Sequence, residues 1–250
     1  MYNRQLVIAV ITLCYHLLFK DMKNWIIKIY VPLFLVTMTL TGCDNPQYPD
    51  PEGERSTLSM TDFVLTAVDG TSITSAIIDV SQFTVNIRNS SDNEIVARWI
   101  YEEIPDEVAL PCNASYIIEA YNDEAQAAAW NAPYYYASSQ VRIYEGEVAT
   151  APAMQCTLAN VAVSVSYSEA FRQAMGDDVK VTVTVAQGAT LDFTPQETRM
   201  GYFGLANGAS TLVATLTGTV DGIETLNRQV ITGIEAGNHY DIKFSLDDEQ

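Results

Sequence analysis

Apolar and polar residues alternate in short runs along most of this chain. In Ser81–Arg88, the side chains of Phe83, Val85 and Ile87 fall on one side and polar ones on the other, the period of a strand with one buried face. The turn-rich Asn89-Ser90-Ser91-Asp92-Asn93 follows, so Glu94–Tyr101 is predicted as the returning arm of a hairpin. Leu58–Val68 should be the first strand of the body. Ser115–Tyr121, with Tyr116, Ile118 and Ala120 on one face, and Gln140–Val148, with Val141 and Ile143, supply two more. Asp123–Trp130 has helical propensity through Glu124 and its run of alanines, enough for one or two turns.

A second set of strands is expected to begin at Cys156 and run through Val161, Val163 and Val165. Glu169–Met175 is predicted as a short helical turn ahead of Gly176. Beyond it, 178–186 places Val179, Val181, Val183 and Val185 on one face, and Thr211–Val220 and Ile223–Ile231 bracket the hairpin signal Asp221-Gly222. His239–Leu246 closes the chain with Tyr240, Ile242, Phe244 and Leu246 on one side. Turn signals recur too often for a long helix. The pattern implies an all-β fold of two tandem antiparallel sandwiches, over residues 57–153 and 154–250, joined near Thr150–Cys156.

Ahead of this body, Lys23 and Lys28 precede an apolar run, Ile29–Leu40, that ends in Leu40-Thr41-Gly42-Cys43. That is the layout of a bacterial lipoprotein signal, in which a peptidase cuts ahead of a cysteine whose thiol has been diacylated. Residues 22–42 are read as the signal peptide, Cys43 as the lipidated N-terminus, and 43–56 as a flexible acidic linker rich in proline. The competing reading, an uncleaved signal anchor, leaves the same body outside the same membrane, although the run is short of the about 20 residues a span needs. Gln5–Phe19 is a second apolar stretch that a signal does not require. Met22 is therefore taken as the start and residues 1–21 as upstream sequence, which removes Cys14 and His16 from consideration.

The chain of 250 residues carries a formal charge of −18. From Cys43 onward it holds 30 acidic and 9 basic residues, a formal charge of −21. Such a surface repels a phosphate backbone, so nucleic acid is excluded as a partner. Asp44, Asp50, Glu52 and Glu54 cluster just behind Cys43. They resemble the surface-export signal of Bacteroidetes-type lipoproteins; the alternative is a solvated linker.

Candidate chemistry is sparse. His239 is the one histidine after the signal, it opens a strand, and a serine triad has no relay through it. Cys112, Cys156 and His239 lack the short paired spacings of zinc ligands. Carboxylates are abundant without a pair that stands out as a glycosidase set, and Asp177-Asp178 and Asp247-Asp248-Glu249 lack a calcium loop. No catalytic residue, metal site or cofactor is expected. Cys112 and Cys156, each near a strand start in an exported body, either form one disulfide or pack as two free thiols. Trp130, Tyr134, Tyr135 and Tyr136 around Pro133 form the densest aromatic group. They make either a platform for sugar rings or a set in which alternate rings turn inward and seal the first sandwich.

Several segments in a fixed order carry a resemblance: Asp79–Val85 with Arg98-Trp99-Ile100-Tyr101, Ala109-Leu110-Pro111-Cys112 before Tyr116, Ala129–Tyr135, Cys156–Val163, and Glu197–Phe203. Together they resemble a family of Bacteroidales lipoproteins, the domain of unknown function 4493, akin to fimbrillin-type surface proteins, over roughly Leu58 to Leu246. Asn113-Ala114 departs from the glycine usual in that turn. The resemblance implies transthyretin-like or immunoglobulin-like sandwiches, an outer-membrane, cell-surface location and an adhesin or pilus-assembly role, with the membrane and other fimbrial subunits as partners. It supplies no catalytic residues. In fimbrillin-type subunits, proteolysis after an arginine near the position of Arg55 frees a groove for a neighbour's strand; an ordinary linker arginine is the other reading. The alternative function is a surface glycan-binding lipoprotein that serves polysaccharide uptake.

Overall fold

The structure, a computed structural model, describes residues 54–69, 78–185, 188–205 and 208–246. Cys43, the signal segment, most of the linker and Asp247–Glu249 lie outside the described residues. Among the described residues the fold is nearly all β, with one short α-helix and a 3-10 turn at Tyr101–Glu103. In chain order the strands are β1 (Arg55–Ser59), β2 (Leu65–Val68), β3 (Thr84–Asn89), β4 (Ile95–Ile100), β5 (Glu107–Pro111), β6 (Ala114–Tyr121), β7 (Ala128–Trp130), β8 (Tyr135–Ile143), β9 (Val148–Thr150) and β10 (Met154–Leu158). They continue as β11 (Asn160–Tyr167), then helix α1 (Glu169–Ala174), β12 (Lys180–Val185), β13 (Ala189–Phe193), β14 (Gly201–Gly204), β15 (Thr211–Val220), β16 (Ile223–Thr232) and β17 (His239–Phe244). No helix among the described residues is long and apolar enough to cross a membrane.

Four sheets enclose two cores. A three-stranded sheet (β5-β1-β9) and a six-stranded one (β2-β10-β8-β6-β3-β4) supply the first, which buries Leu58 and Leu110 with Val85, Ile87, Tyr116, Ile118 and Ile143. Two four-stranded sheets, β17-β11-β14-β7 and β13-β12-β15-β16, supply the second, where Val181, Val183 and Val185 meet Val161, Val163 and Ile242. Burying each such side chain stabilises the fold by about 1.5–3 kcal/mol relative to leaving it in water. Pairing is antiparallel except at β1–β9, β2–β10 and β11–β17, which are parallel.

The hairpin β3–β4, strand β6, helix α1, strand β12 and the β15–β16 hairpin at Asp221-Gly222 form where the pattern places them. Other elements differ, each for a local reason. Leu58–Val68 is not one strand: a turn at Thr61-Asp62 breaks it, and β1 and β2 go to different sheets. Gln140–Val148 is likewise broken, by a turn at Glu145-Gly146 where Gly146 takes φ 72°. Asp123–Trp130 holds no helix; its last three residues are β7, an edge strand paired with β14. Cys156 does not open the second set. β10 buries Met154, Cys156 and Leu158 in the first core, and the chain passes to the second core at Ala159. β17 ends at Phe244 and leaves Leu246 exposed.

Candidate binding face

Because side chains alternate across a strand, the residues between the buried positions of β3, β4, β6 and β8 all share the outer face of the six-stranded sheet. Register sets Asn86 beside both Arg98 and Glu119, and Tyr121 beside Tyr136. Two adjacent polar clusters result. Arg98 donates through Nε to Asn86 Oδ1 at 2.8 Å, and Asn86 Nδ2 donates to the Tyr121 hydroxyl at 2.9 Å. Arg88 forms an ion pair with Glu119 Oε2 at 3.0 Å, and the Tyr136 hydroxyl donates to Glu119 Oε1 at 3.0 Å. Glu119 is thus held from both sides, with each oxygen engaged.

Tyr134, just ahead of β8, stacks on Tyr136 with ring centroids 6.1 Å apart. Burial first, then the neighbouring Tyr136 and Tyr121, pushes its hydroxyl up to about 12. Tyr134 also lines a groove of about 660 Å³, together with Ala125–Ala127, Ala159-Asn160, Gly188-Ala189 and Gly204-Leu205. Buried Asn160 clamps the Tyr134 segment, accepting from Tyr134 N–H at 3.3 Å and donating to Ala132 O at 3.0 Å. Gly204 lets the 126–127 backbone approach: a Cβ there would lie 2.8 Å from Gln126 O. Tyr134 thus belongs both to the stacked pair and to a groove lined otherwise by small and apolar residues with Gln126 and Asn160.

The predicted aromatic group does not stay together. Tyr135 turns inward, stacks on Phe83 at 6.4 Å and is held by Asn122 Oδ1, which accepts its N–H at 2.8 Å. Trp130 leaves for the second core, edge-on to Phe193 at 4.6 Å, with the Arg199 guanidinium 4.9 Å from its ring centroid. Arg199 is bound bidentately by Glu197 at 2.9 and 2.7 Å, which pulls that carboxyl down to about 2. Asn86, Arg88, Arg98, Glu119 and Tyr121 were not singled out from the sequence. They occupy the polar positions of the very alternations that predicted the strands, which is the signal that finds them.

A family model described as a domain of unknown function, DUF4493, matches residues 56–250. The chain belongs to the DUF4493 family. No curated protein matches it. Among solved structures, it is similar to a fimbrial assembly protein from Parabacteroides distasonis, at 10% identity over 78% of this chain and 93% of that one, TM-score 0.44. A candidate adhesin from Bacteroides ovatus shares 9% identity over 79% and 89%, TM-score 0.46. A candidate polysaccharide-binding protein from Bacteroides thetaiotaomicron shares 9% over 78% and 92%, TM-score 0.43.

Elsewhere in this DUF4493 chain, Ser164, His239 and Asp241 meet across the parallel β11–β17 pair. Ser164 Oγ lies 2.8 Å from His239 Nε2 and donates to Asp241 Oδ1 at 2.9 Å, while Ser166 donates to Asp241 Oδ2 at 3.1 Å. The carboxylate holds the hydroxyls and not the imidazole. A nucleophilic triad instead has the histidine between the serine and the carboxylate.

Cys112 and Cys156 are both free thiols, so the disulfide alternative is not realised. Cys156 sits inside the first core, where burial pushes its thiol up to about 11. Cys112 is half-buried, within 4.8 Å of the ligand atoms of exposed Glu54 and Glu145. A hydrogen bond to Glu145, then its charge, raises the Glu54 carboxyl. Asp178 is a structural cap, accepting from Thr219 N–H at 3.0 Å and from its hydroxyl at 2.9 Å. Arg55 is the first residue of β1 and donates to Ala109 O at 2.9 Å. A cut after it would leave Ser56–Ser59 paired in the middle of the three-stranded sheet.

Proposed function

We propose that this DUF4493 protein is a non-enzymatic, lipid-anchored protein of the outer-membrane surface, with its lipid on Cys43, acting as a fimbrillin-like adhesin or pilus-assembly component. The observation that supports a binding role most directly is the outer face of the six-stranded sheet. There Tyr134 and Tyr136 stack beside Glu119, Arg88, Arg98 and Asn86, at the rim of a groove. Its polar groups hold one another in place beside two half-exposed rings, an arrangement that supports recognition of a ligand.

The tyrosine stack also favours a second reading, a surface glycan-binding lipoprotein serving polysaccharide uptake, because ring faces flanked by fixed hydrogen-bonding groups are what a saccharide needs. A glycan array with the wild-type chain and the Tyr134→Ala/Tyr136→Ala variant tests the site. Loss of signal in the variant supports glycan recognition on this face. An unchanged array moves the ligand elsewhere. Co-purification of partner subunits from native cells, retained by the same variant, supports the pilus-assembly reading over uptake.

A further inference from the structure

Strand β16 is the outermost strand of its sheet. It runs ten residues in unbroken register with β15, from Ile223 opposite Val220 to Thr232 opposite Thr211, without proline, lysine or bulge. Leu226 is 74%, Ile223 67% and Val230 49% exposed. Soluble proteins usually blunt an edge of this kind, because its free N–H and C=O groups template pairing with another strand.

The parity of that edge is fixed. Asp221 and Gly222 both have positive φ, 50° and 73°, the two-residue turn whose flanking pair, Val220 and Ile223, is hydrogen-bonded. Odd-numbered residues of β16 therefore direct their backbone groups at β15, and Glu224, Leu226, Arg228 and Val230 direct theirs outward. At the far end Gly233 N–H donates to Ser210 O at 2.7 Å, in the same parity. Those four side chains also share one face, opposite the face that carries Leu212, Ala214 and Leu216 on β15 into the core.

We infer that β16 pairs with β16 of a second copy of this chain, antiparallel, about a twofold axis at Leu226. Charge selects this partner and this register. With the axis at Leu226, Glu224 of each copy faces Arg228 of the other, twice, and Leu226 faces Leu226. With the axis at 224 or 228, like charge meets like; at 225 or 227, neither charge meets an opposite one. Among the described residues, Glu224 and Arg228 form no ion pair within the chain. At a net charge of −18 two copies otherwise repel, so the register that brings Arg228 to a carboxylate is the one in which they can meet. Two ten-residue edges bury less than the about 1,200 Å² of a standard stable interface. The dimer is accordingly weak in solution and strengthens where a membrane anchor concentrates the copies. This inference is independent of the binding face on the other sandwich.

Sedimentation of the full chain in detergent over a concentration series tests it. The wild type should pass from monomer to dimer; Glu224→Arg should weaken association at least tenfold, and Glu224→Arg with Arg228→Glu should restore it. Leu226→Cys supplies a second readout. Hydrogen-bonded antiparallel partners have Cα atoms about 5.5 Å apart, within disulfide range. Oxidation should therefore yield a 226–226 linked peptide by mass spectrometry, whereas Val230→Cys, which faces Gly222 of the second copy, should not link to itself. A monomer at every concentration, a double variant that fails to restore association while remaining folded by circular dichroism, or equal linking at 226 and 230 would overturn it.

Discussion

Tyr134 and Tyr136 stack on one another at 6.1 Å, while Tyr135 between them turns to the opposite side of the sheet and stacks on Phe83 at 6.4 Å. Strand alternation thus divides three consecutive tyrosines between the outer face of the sheet and a core. Tyr135→Ala should cost about 3–5 kcal/mol in urea unfolding, the range for deleting a buried aromatic ring. Tyr134→Ala/Tyr136→Ala, which removes two half-buried rings, should cost less than that per ring and abolish array binding. Equal destabilisation by both would mean that the outer pair is structural.

Trp130 precedes Ala159 in the chain and yet belongs to the second core, through β7, Phe193 and Arg199. Trp130→Ala should destabilise the fold, by less than the about 3–5 kcal/mol of a fully buried ring, because Trp130 is half-buried. In hydrogen exchange, protection should fall in β14 and β13 before it falls in β3 and β6. Loss confined to β3 and β6 would contradict this placement.

The elements legible in the sequence are those whose burial follows from period alone. Phe83, Val85 and Ile87, Tyr116 and Ile118, and the four valines of 179–185 all point where alternation sends them. Asp221-Gly222 was legible because both residues accept positive φ. What escaped depends on partners distant in sequence. Ala128–Trp130 has a helix former's composition, but pairing with β14 overrides that weak preference. Met154–Leu158 reads correctly as a strand, yet nothing local shows that it pairs in parallel with β2 and so belongs to the first core. The site divides the same way: the tyrosines were visible as a cluster, whereas their neighbours Arg88, Arg98 and Glu119 come from three strands joined only by register.

The two thiols should differ in reactivity. Cys156 is fully buried with its thiol pushed up to about 11, whereas Cys112 is half-buried at a strand end. Iodoacetamide at neutral pH on the folded chain, followed by peptide mass spectrometry, should label Cys112 and spare Cys156 until denaturant is added. Early labelling of Cys156 would show that the first core opens locally.

Asp178 gives a signed pH dependence. Hydrogen bonds from Thr219 hold its folded carboxyl below the ordinary 3.8. Its contribution is therefore complete at and above that value and fades as pH falls through the folded value. The stability difference between wild type and Asp178→Ala should be present at pH 7 and shrink below pH 3.8. A difference that grows on acidification would refute the cap.

The measurement that tests the central claim most directly is protease accessibility and surface labelling on intact cells, following the chain by mass. A protein displayed outward from a lipid on Cys43 should be labelled and shaved from whole cells. Protection until the outer membrane is opened would contradict surface display and leave a body that faces the periplasm.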